Sequence, residues 1–234
     1  MKPVIHSVLA LGLILTIQPT PAAEPGAASE DRWAEAMERF ERLDGESPPR
    51  PGGVVFVGSS SIRLWDLEKF FPELEAVNRG FGGSQLADSL RHIDLLVLRH
   101  KPRAVVVYAG DNDINAGKTP GQVSEDFRAF EAAVHDALPE TRILYIAIKP
   151  SLARWKLAGP MRTANGLIAE ICEKHPRCDF VNIWDPMLGD DGKPRDELLQ
   201  EDGLHLSPAG YALWTKLVQS ALDPADQATN TNSH

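Results

Sequence analysis

Cysteine is scarce: Cys172 and Cys178 are the only two in 234 residues. The chain can form at most one internal disulfide. A basic excess is also missing, with 24 lysines and arginines against 33 acidic residues and a net charge of −9. The acidic residues are spread out, and no basic stripe with interleaved aromatics occurs. That argues against nucleic acid or an anionic membrane surface as partner. The one long apolar run, residues 8–17, is too short to span a bilayer comfortably. Several motifs fail on single residues. "GFGGSQ" holds Gln85 where a dinucleotide fingerprint needs glycine. "DNDINAG" holds Ala116 where a calcium loop needs glycine, and Gln122 falls where that loop needs glutamate. No two histidines have the spacing of zinc ligands. No G-x-S-x-G is present, so the nucleophile elbow of the α/β-hydrolase fold is absent. Neither a metal nor another cofactor is expected.

What is present begins with a leader. Lys2 precedes the apolar run, and small residues follow at Thr20 and Ala22. Residues 1–22 therefore read as a secretory signal peptide cleaved near Ala22, and the mature protein as secreted or periplasmic. The alternative is an uncleaved anchor. No cysteine follows the run, so no lipid attachment point stands there. In an oxidising compartment, Cys172 and Cys178 either pair to staple a short loop or remain half-buried thiols. The polar stretch 223–234 reads as a disordered tail.

Residues 31–222 read as a single domain. Segments 54–57, 74–77, 104–108, 143–148 and 180–183 have the composition of strands. Helical patterns lie between them. One follows Ser84, with Leu86, Leu90, Ile93 and Val97 on one face. Others carry Val123, Phe127, Phe130 and Val134, then Ala164, Leu167, Ile168 and Ile171. The last opens at Ser207, a good N-cap, with Pro208 in the first helical position. Val- and Ile-rich strands alternating with helices predict a parallel sheet covered on both faces: a three-layer α/β/α sandwich of about five strands, flavodoxin-like in class. Ligands bind such sheets beyond the carboxyl ends of the strands. That rule selects residues 58–61, 78–84, 109–115, 149–155 and 201–207.

Acyl-transfer chemistry needs a nucleophile, a base, a group that orients the base, and donors for an oxyanion. "VVFVGSSSIRLW" puts three serines where the first strand stops. They are either turn and cap residues or the source of a nucleophile. Of seven histidines, only His205 falls on a loop at the predicted edge, with Asp202 three residues before it. The plainer reading of that pair is a solvated turn. Asn112 could donate a side-chain amide and Gly83 a backbone N–H, or both could simply form bends. Lys149, Arg154 and Trp155 fall in the fourth loop and would supply a basic rim.

In order, "FVGSSSI", "NRGFGGS", "YAGDND" and "DGLH" resemble the four blocks of the SGNH/GDSL hydrolase superfamily, nearest its platelet-activating-factor acetylhydrolase-like branch. The resemblance covers nearly the whole domain. It implies Ser60 as nucleophile and Asp202 and His205 as the rest of a catalytic triad. It implies an oxyanion hole from Ser60, Gly83 and Asn112. The expected activity is hydrolysis of short-acyl or acetyl carboxylic esters without a cofactor. The substrate would be a small-molecule, lipid or carbohydrate ester. Polysaccharide acetylesterase activity is the nearest alternative, and an inactive carbohydrate- or lipid-binding module is another. The blocks depart from the family at one residue: Ser59 stands where the family usually has aspartate.

Overall fold

The computed structural model describes residues 32–223. The expected leader and all but the first residue of the expected tail lie outside them. Five strands run in chain order: β1 (Val54–Gly58), β2 (Ala76–Gly80), β3 (Ala104–Tyr108), β4 (Arg142–Ile146) and β5 (Cys178–Val181). Their order across the sheet is β2-β1-β3-β4-β5, and every pairing is parallel. Among the described residues the helices are α1 (Ala34–Glu46), α2 (Ser60–Arg63), α3 (Leu67–Phe70), α4 (Leu86–Arg91) and α5 (Ile93–Leu96). They continue with α6 (Asp111–Asn115), α7 (Pro120–Ala137), α8 (Ala158–Glu173) and α9 (Pro208–Leu222). None is long and apolar enough to cross a membrane.

Alternation along the strands builds the layers. Val55, Val57, Val105, Val107, Ile143 and Tyr145 point to one face, where α1, α4, α5, α7 and α8 cover them. Val54, Phe56, Val106, Tyr108, Leu144 and Ile146 point to the other, where Trp65, Phe71 and α9 cover them. Each face is a separate apolar core, as the period of two requires. The fold is thus the expected three-layer α/β/α sandwich.

Three elements differ from the sequence reading, among them the fifth strand, which lies at Cys178–Val181, not 180–183. The second strand lies at Ala76–Gly80, not 74–77. It is an edge strand, so polar residues extend it, and Asn78 Nδ2 reaches the carbonyls of Ile62 and Trp65 at 2.8 and 3.1 Å. The helix expected after Ser84 is broken into α4 and α5, with a further 3-10 turn at Leu98–His100. The remaining helix signals match. Ser207 Oγ accepts from Gly210 N–H at 3.2 Å and caps α9, and Tyr211, Trp214 and Val218 are buried.

Candidate active site

The serine-rich turn sorts its three hydroxyls by geometry. β1 ends at Gly58, whose φ is +137°. A Cβ there would lie 1.9 Å from Tyr108 O, so only glycine allows β1 to turn this close to β3. Ser59 N–H donates to Tyr108 O at 3.0 Å, and Ser59 holds the N-cap position of α2. Ser59 and Ser61 are buried and Ser60 is half-buried. Ser60 therefore faces outward, and as the first residue of α2 its N–H has no intrahelical acceptor. Ser59 Oγ has no protein partner among the described residues.

The loop before α9 brings the second and third groups. His205 Nε2 lies 3.1 Å from Ser60 Oγ, across 145 residues of chain. His205 Nδ1 lies 2.6 Å from Asp202 Oδ2. An ionised carboxylate only accepts, so Nδ1 donates and Nε2 keeps its lone pair for the Ser60 hydroxyl. Asp202 Oδ1 accepts from the N–H groups of Leu204 and His205, each at 2.9 Å. The bond from His205, then these two N–H groups, lower the Asp202 pKa from 3.8 to about 2. The loop is braced at its base by Gln200, whose N–H donates to His205 O at 2.7 Å and whose Nε2 donates to Leu206 O at 2.9 Å.

Asn112 sits in α6, directly beyond β3. Arg154 Nη2 donates to its Oδ1 at 3.0 Å. A guanidinium has no acceptor, so this contact fixes the amide orientation and turns Nδ2 toward Ser84 O, 3.0 Å away. Nδ2 has a second hydrogen with no protein acceptor among the described residues. The Ser84 contact places Asn112 beside Gly83, which is exposed and whose N–H is likewise without a protein acceptor there.

Behind Asn112 lies a charge cluster that the sequence did not reveal. Asp111 Oδ2 accepts from Lys149 Nζ at 3.2 Å and from Arg154 Nη1 at 3.0 Å. Burial raises the Asp111 pKa, but the two cations outweigh it and hold the group below the ordinary carboxylate value. Lys149 also donates to Tyr108 OH at 3.1 Å. This corrects the expected basic rim: the Lys149 side chain is 1% exposed and Arg154 is mostly buried. Both orient the site from behind. The pairing was not legible because Asp111 and Lys149 are 38 residues apart.

The structure thus joins Ser60, His205 and Asp202 in one hydrogen-bonded line and sets Asn112 next to the Gly83 loop. That arrangement can take a proton from a serine hydroxyl and offer N–H donors nearby. No curated protein sequence matches the chain. Solved structures share its fold. A Streptococcus pneumonia protein described as a candidate platelet activating factor superposes with a TM-score of 0.72 at 23% identity, over 80% of this chain and 91% of that one. A GDSL-like lipase from Bacteroides thetaiotaomicron gives 0.66 at 21% identity, over 81% and 99%. An acetyl-xylooligosaccharide esterase variant from Geobacillus Stearmophilus gives 0.56 at 17% identity, over 73% and 94%. The sequence profile of the GDSL-like Lipase/Acylhydrolase family matches residues 65–213, a span that starts after the serine turn and takes in Gly83, Asn112, Asp202 and His205. The chain belongs to that family of ester-hydrolysing enzymes.

Proposed function

We propose that this chain is an exported serine esterase that cleaves short-acyl or acetyl carboxylic esters. The observation that carries the reading is the line Asp202–His205–Ser60, with contacts of 2.6 and 3.1 Å. His205 Nε2 takes the proton of Ser60 as Oγ attacks the ester carbonyl. Asp202 keeps Nδ1 protonated and stabilises the imidazolium that forms. The oxyanion is held by the N–H groups of Ser60 and Gly83 and by Asn112 Nδ2. The free Nδ2 hydrogen and the two N–H groups without acceptors support that role. His205 then returns the proton to the leaving alcohol, and water reverses the sequence to release the acid. Removing one oxyanion donor of this kind costs about 10²–10³ in rate.

The test is a series of p-nitrophenyl esters of rising chain length together with a fluorophosphonate probe. The wild type should hydrolyse the short esters and take up the probe at one serine. Ser60→Ala should do neither. Normal hydrolysis by Ser60→Ala defeats the assignment. A second reading, an acetyl group on a carbohydrate, draws support from the fold shared with the acetyl-xylooligosaccharide esterase. Acetate release from acetylated xylan tests it. Export rests on the three-part pattern in residues 1–22. It predicts a mature N-terminus near Ala23, and intact mass with Met1 retained would count against it.

A further inference from the structure

The cations around the site differ in what they touch. Lys149 and Arg154 are held by Asp111. Arg63 is exposed, and no carboxylate or carbonyl among the described residues accepts from its guanidinium. It lies three residues after Ser60 in α2, on the same face of that turn.

Two glycines position it. The α2 backbone packs on the end of β2 at Gly80, where a Cβ would lie 2.2 Å from Arg63 N. The guanidinium end then lies over Gly82, where a Cβ would lie 3.0 Å from Nε, 3.5 Å from Nη2 and 3.6 Å from Cζ. Gly82 adjoins Gly83, the backbone donor assigned above. Arg63 also acts electrostatically on Tyr211. Burial raises that phenol to about 12, while Lys149 and Arg63 both work against the rise. The Tyr211 hydroxyl itself donates to Ser61 O, one residue beyond the serine assigned as nucleophile, at 3.0 Å. The chain carries an excess of 9 negative charges, yet none of its described carboxylates neutralises this guanidinium. A planar fork of donors held over a bare glycine backbone matches the two oxygens of a carboxylate or phosphate.

We propose that Arg63 is a specificity-determining residue that binds an anionic oxygen group, carboxylate or phosphate, carried by the ester substrate. The inference rests on the Ser60–His205–Asp202 reading and adds the substrate class: esters with a negative charge close to the scissile bond. A charged group on either the acyl or the alcohol side has the required chemistry, and the assay separates the two.

The experiment measures kcat/KM on matched pairs. Mono-p-nitrophenyl glutarate against p-nitrophenyl valerate places the charge on the acyl side. 4-Acetoxybenzoate and 4-acetoxyphenyl phosphate against 4-acetoxytoluene place it on the alcohol side. Arg63→Gln should lower the anionic-to-neutral ratio about tenfold in at least one pair, through KM, and Arg63→Lys should restore part of it. Gly82→Ala crowds the guanidinium, which must give way without being removed, and should lower the ratio in the same pair. Raising NaCl from about 20 to about 500 mM should do likewise in the wild type, because salt screens an exposed charge. These two readouts stand even if the Arg63 variants fold poorly. A fall of about threefold or more in any pair supports the assignment, and a smaller change in every pair overturns it. Ser60→Ala is assayed in parallel. If it stays active, the triad reading fails whatever the ratio does. If it is inactive while the ratio holds in Arg63→Gln, only the role of Arg63 fails. If the wild type hydrolyses none of these esters, both fall.

Discussion

Asp202–His205 and Glu131–His135 are two histidine–carboxylate pairs of the same length among the described residues, and only one of the two can work as a base. Asp202–His205 lies at the carboxyl edge of the sheet, and Glu131–His135 on α7 toward the other end. In each, Nδ1 stands 2.6 Å from a carboxylate oxygen. The difference is at Nε2. In His205 it faces the Ser60 hydroxyl at 3.1 Å, which can donate. In His135 it faces the Thr141 carbonyl at 3.0 Å, which can only accept. His135 must therefore keep a proton on Nε2 and has no lone pair to offer. Its ring stacks on His175 at 4.1 Å between centroids and 11° between planes. His175 Nδ1 in turn accepts from Arg177 N–H at 3.3 Å. Glu131, His135 and His175 come within 4.8 Å of one another although their spacing in the chain shows nothing of the kind. The stacking keeps the two rings in parallel planes, and the group reads as a half-buried hydrogen-bond network. A close carboxylate orients a histidine; the partner on its other nitrogen decides whether it can act.

The sharpest way to break the comparison is to delete each histidine. His205→Ala should lower kcat on a short p-nitrophenyl ester by about 10⁴–10⁶. Its melting temperature should move little, because His205 is on a partly exposed loop. Equal activity in His205→Ala and wild type would erase the distinction. Asp202→Asn should follow, at about 10⁴ in kcat, since an amide oxygen does not hold the Nδ1 proton as a carboxylate does. A loss under about tenfold would mean that Asp202 does not set the tautomer.

His135→Ala reverses the pattern. Its activity should stay within about threefold of wild type. It strands Glu131 in a half-buried site, with the two side chains 10% and 12% exposed. The cost should be roughly 2 kcal/mol, or about 4–8 °C in melting temperature for a domain this size. An unchanged melt with lost activity would show that the two pairs are functionally linked.

The smallest effect is with pH. The folded pKa of Asp202 is about 2, below its ordinary 3.8. A lowered carboxylate stabilises the fold above the unfolded value, and that contribution fades as pH falls through the folded value. The Tm difference between wild type and Asp202→Asn should therefore shrink from about pH 5 to about pH 2.5. Asp202 is exposed, so the change should be small. A difference that grows on acidification contradicts the shift.

Local patterns carried much of this protein in one dimension. Uninterrupted apolar runs in 54–57 and 104–108 mark strands covered on both faces, because neighbours in a strand face opposite layers and both layers here are apolar. Ser207 and Pro208 mark the start of α9 because caps act within one turn. Val123, Phe127, Phe130 and Val134 mark the inner face of α7 by their helical spacing, and all four are buried. The order of the loops, read with the parallel topology, already put Ser60, Gly83, Asn112, Asp202 and His205 at one edge. Packing decided the rest. Which of three adjacent serines faces outward depends on Gly58 against Tyr108 and on the seat of α2 upon β2. Lys149 and Arg154 turned from rim to support because Asp111 lies on a neighbouring strand's loop. Among the described residues Arg63 has no acidic partner, because none of their carboxylates folded toward it. Strand period and helix capping are interactions over a few residues, so sequence displays them. The partners of a charge or a hydroxyl come from distant parts of the chain, and only the assembled layers choose among them.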